Sequence, residues 1–234
     1  MTRPSVDVPH LCISEAAIVA VMGANGSGKS TAALCMNGML LPERGEVLVD
    51  GLNTREEVTR MEIRKRVGVV FQDPHLQFTS MSVESELAFG LENLGVPGRE
   101  IRARIEQQMD LFQLRGKRDQ VPASLSGGEK QLLAIAAVML LEPRYLVLDE
   151  VTTFLSGNSR VQVFELIANV PARTGAGVIL ITQNPREAFA AGRLVVFHEG
   201  SIAFDGPPET VFRNASSLVK MGVPVPLRER IGLA

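Results

Sequence analysis

The sequence predicts an α/β fold built on a parallel sheet, and three observations carry that prediction. The first is the stretch Gly23-Ala24-Asn25-Gly26-Ser27-Gly28-Lys29-Ser30-Thr31, which has the glycine spacing and terminal Lys-Ser of a nucleotide-phosphate loop. The second is its setting. The apolar run Ala16 to Met22 precedes it, and Thr31 to Met39 reads as a helix, so the strand, loop, helix order that the loop requires is present. The third is a set of unbroken apolar runs that end in polar residues: Arg66 to Phe71 before Gln72, and Tyr145-Leu146-Val147-Leu148 before Asp149-Glu150. Strands buried on both faces of a parallel sheet read this way.

Charge explains why such a loop suits a nucleotide. Consecutive backbone N–H groups at a helix N-terminus meet several negative charges without any side chain being ionised. Gly23, Gly26 and Gly28 let the backbone wrap a phosphate closely, with Ala24, Asn25, Ser27 and Thr31 completing the cradle. The Lys29 ammonium is expected to reach the β- and γ-oxygens, and the Ser30 hydroxyl to take one position on a hydrated Mg²⁺. A glycine-serine surface loop ending in a lysine is the plain alternative, and the flanking strand and helix argue against it. Taken alone, the loop leaves kinases, GTPases and motor ATPases all open.

Downstream, Leu41-Pro42-Glu43-Arg44-Gly45 reads as a turn and Glu46 to Val49 as a strand closed by Asp50-Gly51. Gln72 follows the Arg66 to Phe71 strand directly, and the carboxyl end of a strand is where α/β sheets place ligands. From Ser82 to Leu141 the pattern turns helical, with Val83, Leu87 and Leu91 at helical spacing and a charged helix from Arg99 to Leu114. Leu125-Ser126-Gly127-Gly128-Glu129-Lys130-Gln131 then leads into an apolar helix, Leu132 to Leu141. Residues 75–143 are therefore expected to form a helical subdomain, and 1–74 with 144–234 the α/β core of a single domain. At the next strand end, Asp149 is placed to hold Mg²⁺ through its water shell, and Glu150 to polarise the water that attacks a γ-phosphate.

Composition narrows the field. With 234 residues and 45% hydrophobic content, the chain is long enough for a full α/β core with a subdomain attached. A formal net charge of −2 gives no basic footprint, so no nucleic-acid partner is expected. Cys12 and Cys35 offer no metal-ligand spacing and are expected as small buried hydrophobes in a reducing compartment. Leu132 to Leu141 is about half the length that a bilayer-spanning helix needs, and no charged and apolar leader opens the sequence. The cytoplasm is the expected address.

The Leu-Ser-Gly-Gly-Glu-Lys-Gln stretch between the phosphate loop and the Asp-Glu strand resembles the signature of the ATP-binding cassette family. That resemblance implies a P-loop NTPase fold: a RecA-like sheet core with a helical signature subdomain. It also implies ATP and Mg²⁺ as ligands, and two cassettes closing head to tail so that Ser126, Gly127, Gly128 and Glu129 of one cover the ATP of the other. Gln72 joins both the metal set, with Ser30 and Asp149, and the catalytic set, with Glu150 and Gln183. The segment Phe71-Gln72-Asp73-Pro74-His75-Leu76-Gln77-Phe78, with Leu87 to Asn93, resembles the ATPase subunits of energy-coupling factor transporters, which import vitamins and transition-metal ions. The tail from Phe204 to Pro226 is similar to that group as well. The resemblance implies a second, non-identical ATPase subunit, a membrane scaffold protein that docks near Gln72 and Gln77, a substrate-binding membrane protein, and a place on the cytoplasmic face of the membrane. An importer fed by a solute-binding protein and a soluble scaffold or clamp cassette are the alternatives, but no coiled-coil insertion or basic stripe favours a repair role.

Three positions depart from the family pattern. Gln183 follows the strand Gly177 to Thr182 where a histidine is the rule, and Leu155-Ser156 stands where a Leu-Asp pair is the rule. The N-terminus lacks the early strands and the aromatic residue that stacks on adenine; the first Phe, Tyr or Trp is Phe71, and His10 is the only ring nearby. A glutamine amide donates one hydrogen bond to a phosphate oxygen but never takes up the positive charge of an imidazole. The reading that fits is a working subunit of an unequal pair, with a degenerate site of its own.

Overall fold

In the computed structural model, which describes residues 6–74, 77–155 and 157–227, the chain folds as a mixed α/β structure around a six-stranded sheet. The strands are β1 (Ile18–Gly23), β4 (Val67–Val70), β5 (Tyr145–Asp149), β6 (Gly177–Ile181), β7 (Arg193–His198) and β8 (Ser201–Gly206), in the order β4-β5-β6-β1-β7-β8. The first five are parallel, and β8 returns antiparallel through a two-residue turn at Glu199 (φ 49°) and Gly200 (φ 86°). Positive φ at both turn residues matches the right-handed twist of the flanking strands. A separate hairpin, β2 (Leu48–Val49) with β3 (Leu52–Asn53), closes on Asp50 and Gly51 in the same way. His75, Leu76 and Ser156 lie outside the described residues.

Alternation along the strands assigns the two faces of the sheet. Val70, Leu146, Leu148, Val178 and Leu180 point into one core, shared with α3 (Val83–Asn93), α4 (Gly98–Leu111), α5 (Gly127–Met139) and α6 (Gly157–Ala168). Val19, Val21, Val67, Val69, Val147, Ile179 and Ile181 point the other way, against α1 (Lys29–Met36) and α2 (Glu57–Arg66). A third cluster joins Ala20, Met22, Leu194 and Val196 to the short helices α8 (Pro185–Phe189), α9 (Pro208–Phe212) and α10 (Ala215–Lys220), and α7 (Val170–Thr174) covers the start of β6. The buried-strand runs of the sequence are thus two-faced, as expected for parallel strands between helices.

Several boundaries differ from the sequence expectation, each for a local reason. Helix α1 stops at Met36 rather than Met39 because Gly38 is left-handed (φ 71°), with Gly38 N–H on Cys35 O (3.2 Å) and Met39 N–H on Leu34 O (3.0 Å). That pair of bonds is a Schellman ending. Gln113 (φ 58°) ends α4 at Leu111 likewise, with Leu114 N–H on Met109 O at 2.8 Å. The strand expected over Glu46 to Val49 shrinks to two residues, since its only partner is the equally short β3 and Leu48 remains 53% exposed. Helix α5 starts at Gly127, within the signature stretch, and not at Leu132.

The cysteines are a further correction: Cys12 is exposed and Cys35 half-buried. Residues 6–17 contain no strand, yet Val6, Val8, Leu11 and Ile13 pack on the second core while Asp7 N–H donates to Gly200 O (2.7 Å). Cys12 sits between two inward residues of this segment and so faces out. Among the described residues, no helix is long and apolar enough to cross a membrane.

One ionic hub ties the small hairpin to the sheet. Asp50 accepts hydrogen bonds from Arg66 Nη1 (3.0 Å), Arg144 Nη1 (2.8 Å) and Tyr145 Oη (2.9 Å). Burial, and then the hydrogen bond to Asp50 and its charge, push the Tyr145 phenol up to about 12. Because the folded value lies above the ordinary 10.0, the unfolded chain releases this proton first as pH rises. Stability is therefore complete below pH 10.0 and declines from there through about 12. Tyr145 is the only tyrosine, and there is no tryptophan, so the phenolate absorbance band reports it alone. Spectrophotometric titration should give a midpoint well above that of free tyrosine, and Tyr145→Phe should flatten the alkaline decline in denaturant midpoint; an unshifted phenol would remove the hub from the account.

Candidate active site

Strand register brings the candidate residues together. Val70 pairs with Leu148, so Gln72 and Glu150, each two residues further on, leave the sheet side by side. Asp149 and Val21 both pair with Ile181, which sets Gln183 next to Gly23 and close to Glu150. All of these residues lie at the carboxyl edge of the parallel strands, where α/β sheets hold ligands.

Glu150 is the centre of this group. Its carboxylate accepts from Gln72 Nε2 (3.3 Å) and Thr153 Oγ1 (3.3 Å) on one oxygen and from Gln183 Nε2 (3.3 Å) on the other. Gln183 Nε2 also donates to Gly23 O at 2.9 Å, linking the carboxylate to the phosphate loop. Glu150 itself is left-handed (φ 50°), an arrangement that costs a non-glycine residue about 1–3 kcal/mol and that clusters at functional sites. The surrounding contacts hold it there: Glu150 N–H donates to Ile181 O (3.0 Å), and Thr153 N–H to Glu150 O (3.0 Å). Thr153 was not singled out by sequence, although a hydroxyl three residues after a turn carboxylate is a recognisable partner for it.

The loop between β1 and α1 runs from Gly23 to Gly28. Gly26 (φ 77°) and Gly28 (φ 103°) adopt the left-handed backbone that a tight loop needs, with Ser27 N–H on Ala24 O (3.1 Å). Ala24 is half-buried, Asn25 and Gly26 are exposed, and Thr31 lies half-buried in the first turn of α1. Ser27 Oγ is buried and has no hydrogen-bond partner among the described residues. Lys29 is 6% exposed; its ammonium donates to Gly23 O (2.8 Å) and Ala24 O (3.0 Å). Burial lowers the Lys29 pKa, and the Glu150 and Asp149 carboxylates draw it back up.

Ser30 and Asp149 meet. Burial raises the Asp149 pKa, the Ser30 hydroxyl bonded to it opposes that rise, the Glu150 charge adds to it and the Lys29 ammonium opposes it. A hydroxyl on a half-buried carboxylate beside the glycine-rich loop is the donor set that Mg²⁺ accepts when nucleotide phosphates and water complete its shell. Among the described residues, no three His, Cys, Asp or Glu side chains converge, so an all-protein metal cage is not the arrangement offered.

Ser126, Gly127, Gly128 and Glu129 form a second group, which has no hydrogen bond or ion pair to the first among the described residues. They make a capping box: Glu129 N–H donates to Ser126 Oγ (3.4 Å), and Glu129 Oε2 accepts from Ser126 N–H and Oγ (2.8 Å each). The Ser126 backbone N–H, then its hydroxyl and Lys117, hold the Glu129 carboxyl below the usual range. Ser126 and Gly127 are exposed at the start of α5. Gln77 is turned inward, accepting from Phe71 N–H (3.1 Å) and donating to Val69 O (3.4 Å), so it braces the end of β4 beneath Gln72.

Comparison with known proteins identifies the family. The ABC transporter family profile matches residues 6–153. A cobalt import ATP-binding protein of Syntrophus aciditrophicus is 41% identical over 224 residues, covering 96% of this chain and 80% of the relative. An energy-coupling factor transporter ATP-binding protein of Bacillus subtilis is 39% identical over 224 residues, covering 96% and 79%. Among solved structures, CbiO1 of Clostridium perfringens, described as part of an ABC transporter complex, superposes with a TM-score of 0.81 at 29% identity over 96% of this chain and 90% of that one.

The close approach at Gly23 is the most easily tested feature of the loop. A Cβ there would lie 2.4 Å from Phe197 O and 2.5 Å from Ser27 Oγ. Since one of those neighbours is sheet backbone, Gly23→Ala should cost about 1–3 kcal/mol of stability, read from urea unfolding. A variant as stable as wild type would mean that β1 and β7 separate freely at this point.

Proposed function

The chain belongs to the ABC transporter family, among the energy-coupling factor ATP-binding proteins, and on that premise we propose that it binds and hydrolyses ATP to energise import through a membrane complex. The observation that carries the proposal is the carboxylate of Glu150, held at the sheet edge by Gln72, Gln183 and Thr153 beside the loop of Lys29. In this reading residues 75–143 form the helical subdomain and 1–74 with 144–234 the nucleotide core. The imported solute is a vitamin or transition-metal ion, the latter supported by the name of the cobalt import relative. The working assembly adds a second, non-identical ATPase subunit, a membrane scaffold and a substrate-binding membrane protein, with this chain on the cytoplasmic face.

The chemistry follows from the residues. Amides from Gly23 to Thr31 bind the phosphates at the start of α1, and the Lys29 ammonium moves from its own loop carbonyls to the β- and γ-oxygens. Ser30, Asp149 and Gln72 would hold Mg²⁺, which would supply charge neutralisation to the nucleotide phosphates. Glu150 accepts a proton from the attacking water as the water oxygen bonds to the γ-phosphorus and the bond to the ADP oxygen breaks. Gln72 and Gln183 fix the carboxylate for that transfer. Ser126 to Glu129 serve the ATP of the partner subunit, since their helix start opens outward.

Lys29→Ala should abolish ATP binding, and Glu150→Gln should bind ATP but stop turnover, both read from a fluorescent nucleotide titration beside a phosphate-release assay. A Glu150→Gln variant with the wild-type rate would overturn the role given to that carboxylate. Co-purification with a membrane scaffold tests the transport half of the proposal.

Gln183 makes a separate prediction. An absent transition-state donor costs about 10²–10³ in rate, and a neutral amide in place of an imidazole costs less. Hydrolysis by the isolated chain should be slow, and Gln183→His should accelerate it. Rates of both proteins, alone and mixed with the partner cassette, check this; a fast wild type unchanged by the substitution would sink the unequal-pair reading.

A further inference from the structure

Glu187, in α8, is a buried carboxylate that the chemistry above leaves unused. It is 3% exposed, and its oxygens collect three hydrogen bonds: Thr152 Oγ1 (2.8 Å) and Asn184 Nδ2 (3.1 Å) donate to Oε1, and Thr182 Oγ1 (2.5 Å) donates to Oε2. No Lys or Arg among the described residues pairs with it. A carboxylate without a cation is among the costliest groups to bury, and it persists only where its hydrogen bonds are complete.

The donors show what the carboxylate joins. Thr152 (3% exposed) lies two residues after Glu150, and Thr182 (2% exposed) directly precedes Gln183. Glu187 therefore fastens the loop carrying Glu150 to the loop carrying Gln183, from beneath both. Thr182 Oγ1 also accepts from Asn184 N–H (3.0 Å), which fixes the turn into α8. On the outer side, Arg160 Nε and Nη2 donate to Thr152 O (3.2 Å) and Thr153 O (3.3 Å). An apolar residue at 187 would fill the space but accept from neither threonine.

We propose that Glu187 is a positioning residue for ATP hydrolysis: it holds these two loops in one register, so that the Glu150 carboxylate and the Gln183 amide keep their contact. The inference rests on the ATPase reading above. Glu187 touches none of the reacting atoms, and its effect passes through Thr152 and Thr182. Misplacing a catalytic group by about 1 Å costs on the order of 100-fold in rate, whereas the loop that binds phosphate has no bond to Glu187. Loss of the clamp thus falls on kcat and spares KM. Glutamine keeps the clamp, since its amide oxygen accepts from Thr152 and Asn184 while its nitrogen donates to Thr182 Oγ1.

The test is steady-state ATPase of the full chain for wild type, Glu187→Gln and Glu187→Ala, with amide exchange over residues 150–155 and 182–187. Glu187→Ala should lose about 10- to 100-fold in kcat with KM close to wild type, and Glu187→Gln should restore most of the rate. An alanine variant with wild-type kcat, or one whose KM rises in proportion as kcat falls, overturns the proposal. If that variant does not fold, Thr152→Val decides: a loss confined to kcat supports the clamp and a wild-type kcat overturns it. If wild type hydrolyses no ATP, the ATPase reading itself fails and amide exchange judges the clamp. Joint loss of protection in both segments of the alanine variant, but not the glutamine one, supports it; unchanged protection overturns it.

Discussion

The register of four neighbouring parallel strands is the constraint on which the site depends. Residues two positions past the pairs Val70–Leu148 and Val21–Ile181 are adjacent because the sheet makes them so, and these are Gln72, Glu150, Gly23 and Gln183. A slip of one residue in any strand would exchange the side chains it presents to the two cores and carry its site residue to the wrong side. The cores on both faces therefore fix the chemistry. Val70, Leu148 and Leu180 lock one face, and Val69, Val147, Ile179 and Ile181 lock the other. The unfavourable φ of Glu150 persists in this setting because the Ile181 and Thr153 contacts on either side of it are already fixed.

What the sequence made legible was local. The phosphate loop, the strand ends at Gln72 and Asp149-Glu150, and the helix opening at Ser126 are each contained within a few consecutive residues, so spacing alone exposes them. The family likeness carried by the signature stretch is matched by the ABC transporter profile and by relatives at about 40% identity over most of the chain. What escaped depends on pairing across the chain. Glu187 is an ordinary helix glutamate by sequence, and only the fold sets it against Thr152, 35 residues away. Helix ends at Met36 and Leu111 turn on a single left-handed residue that periodicity does not register. The N-terminal segment hides its alternation, Val6, Val8, Leu11 and Ile13, behind one extra residue, which is why Cys12 faces outward against expectation.

The separation of the two groups of site residues is as informative as their internal order. Within one chain, Glu129 spends its carboxylate on Ser126 and Lys117, and no hydrogen bond or ion pair among the described residues joins that group to Glu150. A helix opening with exposed Ser126 and Gly127 and a loop with exposed Asn25 and Gly26 stand apart on one molecule, and in the proposed function each supplies half of an ATP site. Complementary halves of this kind fit the proposed head-to-tail pairing, in which Gln183 and Ser126 serve different ATP molecules.

Electrostatics sharpens the meaning of Gln183. At the carboxyl edge of the sheet the Lys29 ammonium faces the Asp149 and Glu150 carboxylates, and burial disfavours the charged form of both Lys29 and Asp149. Before any phosphate arrives, the balance is already negative. Nucleotide phosphates add further negative charge, so the site can close only with a divalent cation or another positive group. An imidazole beside Glu150 could become that positive group by protonation. The amide that stands there cannot; it offers a fixed dipole, and part of that dipole is already directed at Gly23 O. Among the described residues, the hydrogen bonds that brace the Glu150 carboxylate come from neutral groups, two glutamines and a threonine, which favours geometric order over charge compensation. On the proposed ATPase reading, a site of this composition retains ATP through its loop and metal set while gaining little extra stabilisation as charge develops, and that is the physical basis for expecting binding to outlast fast turnover.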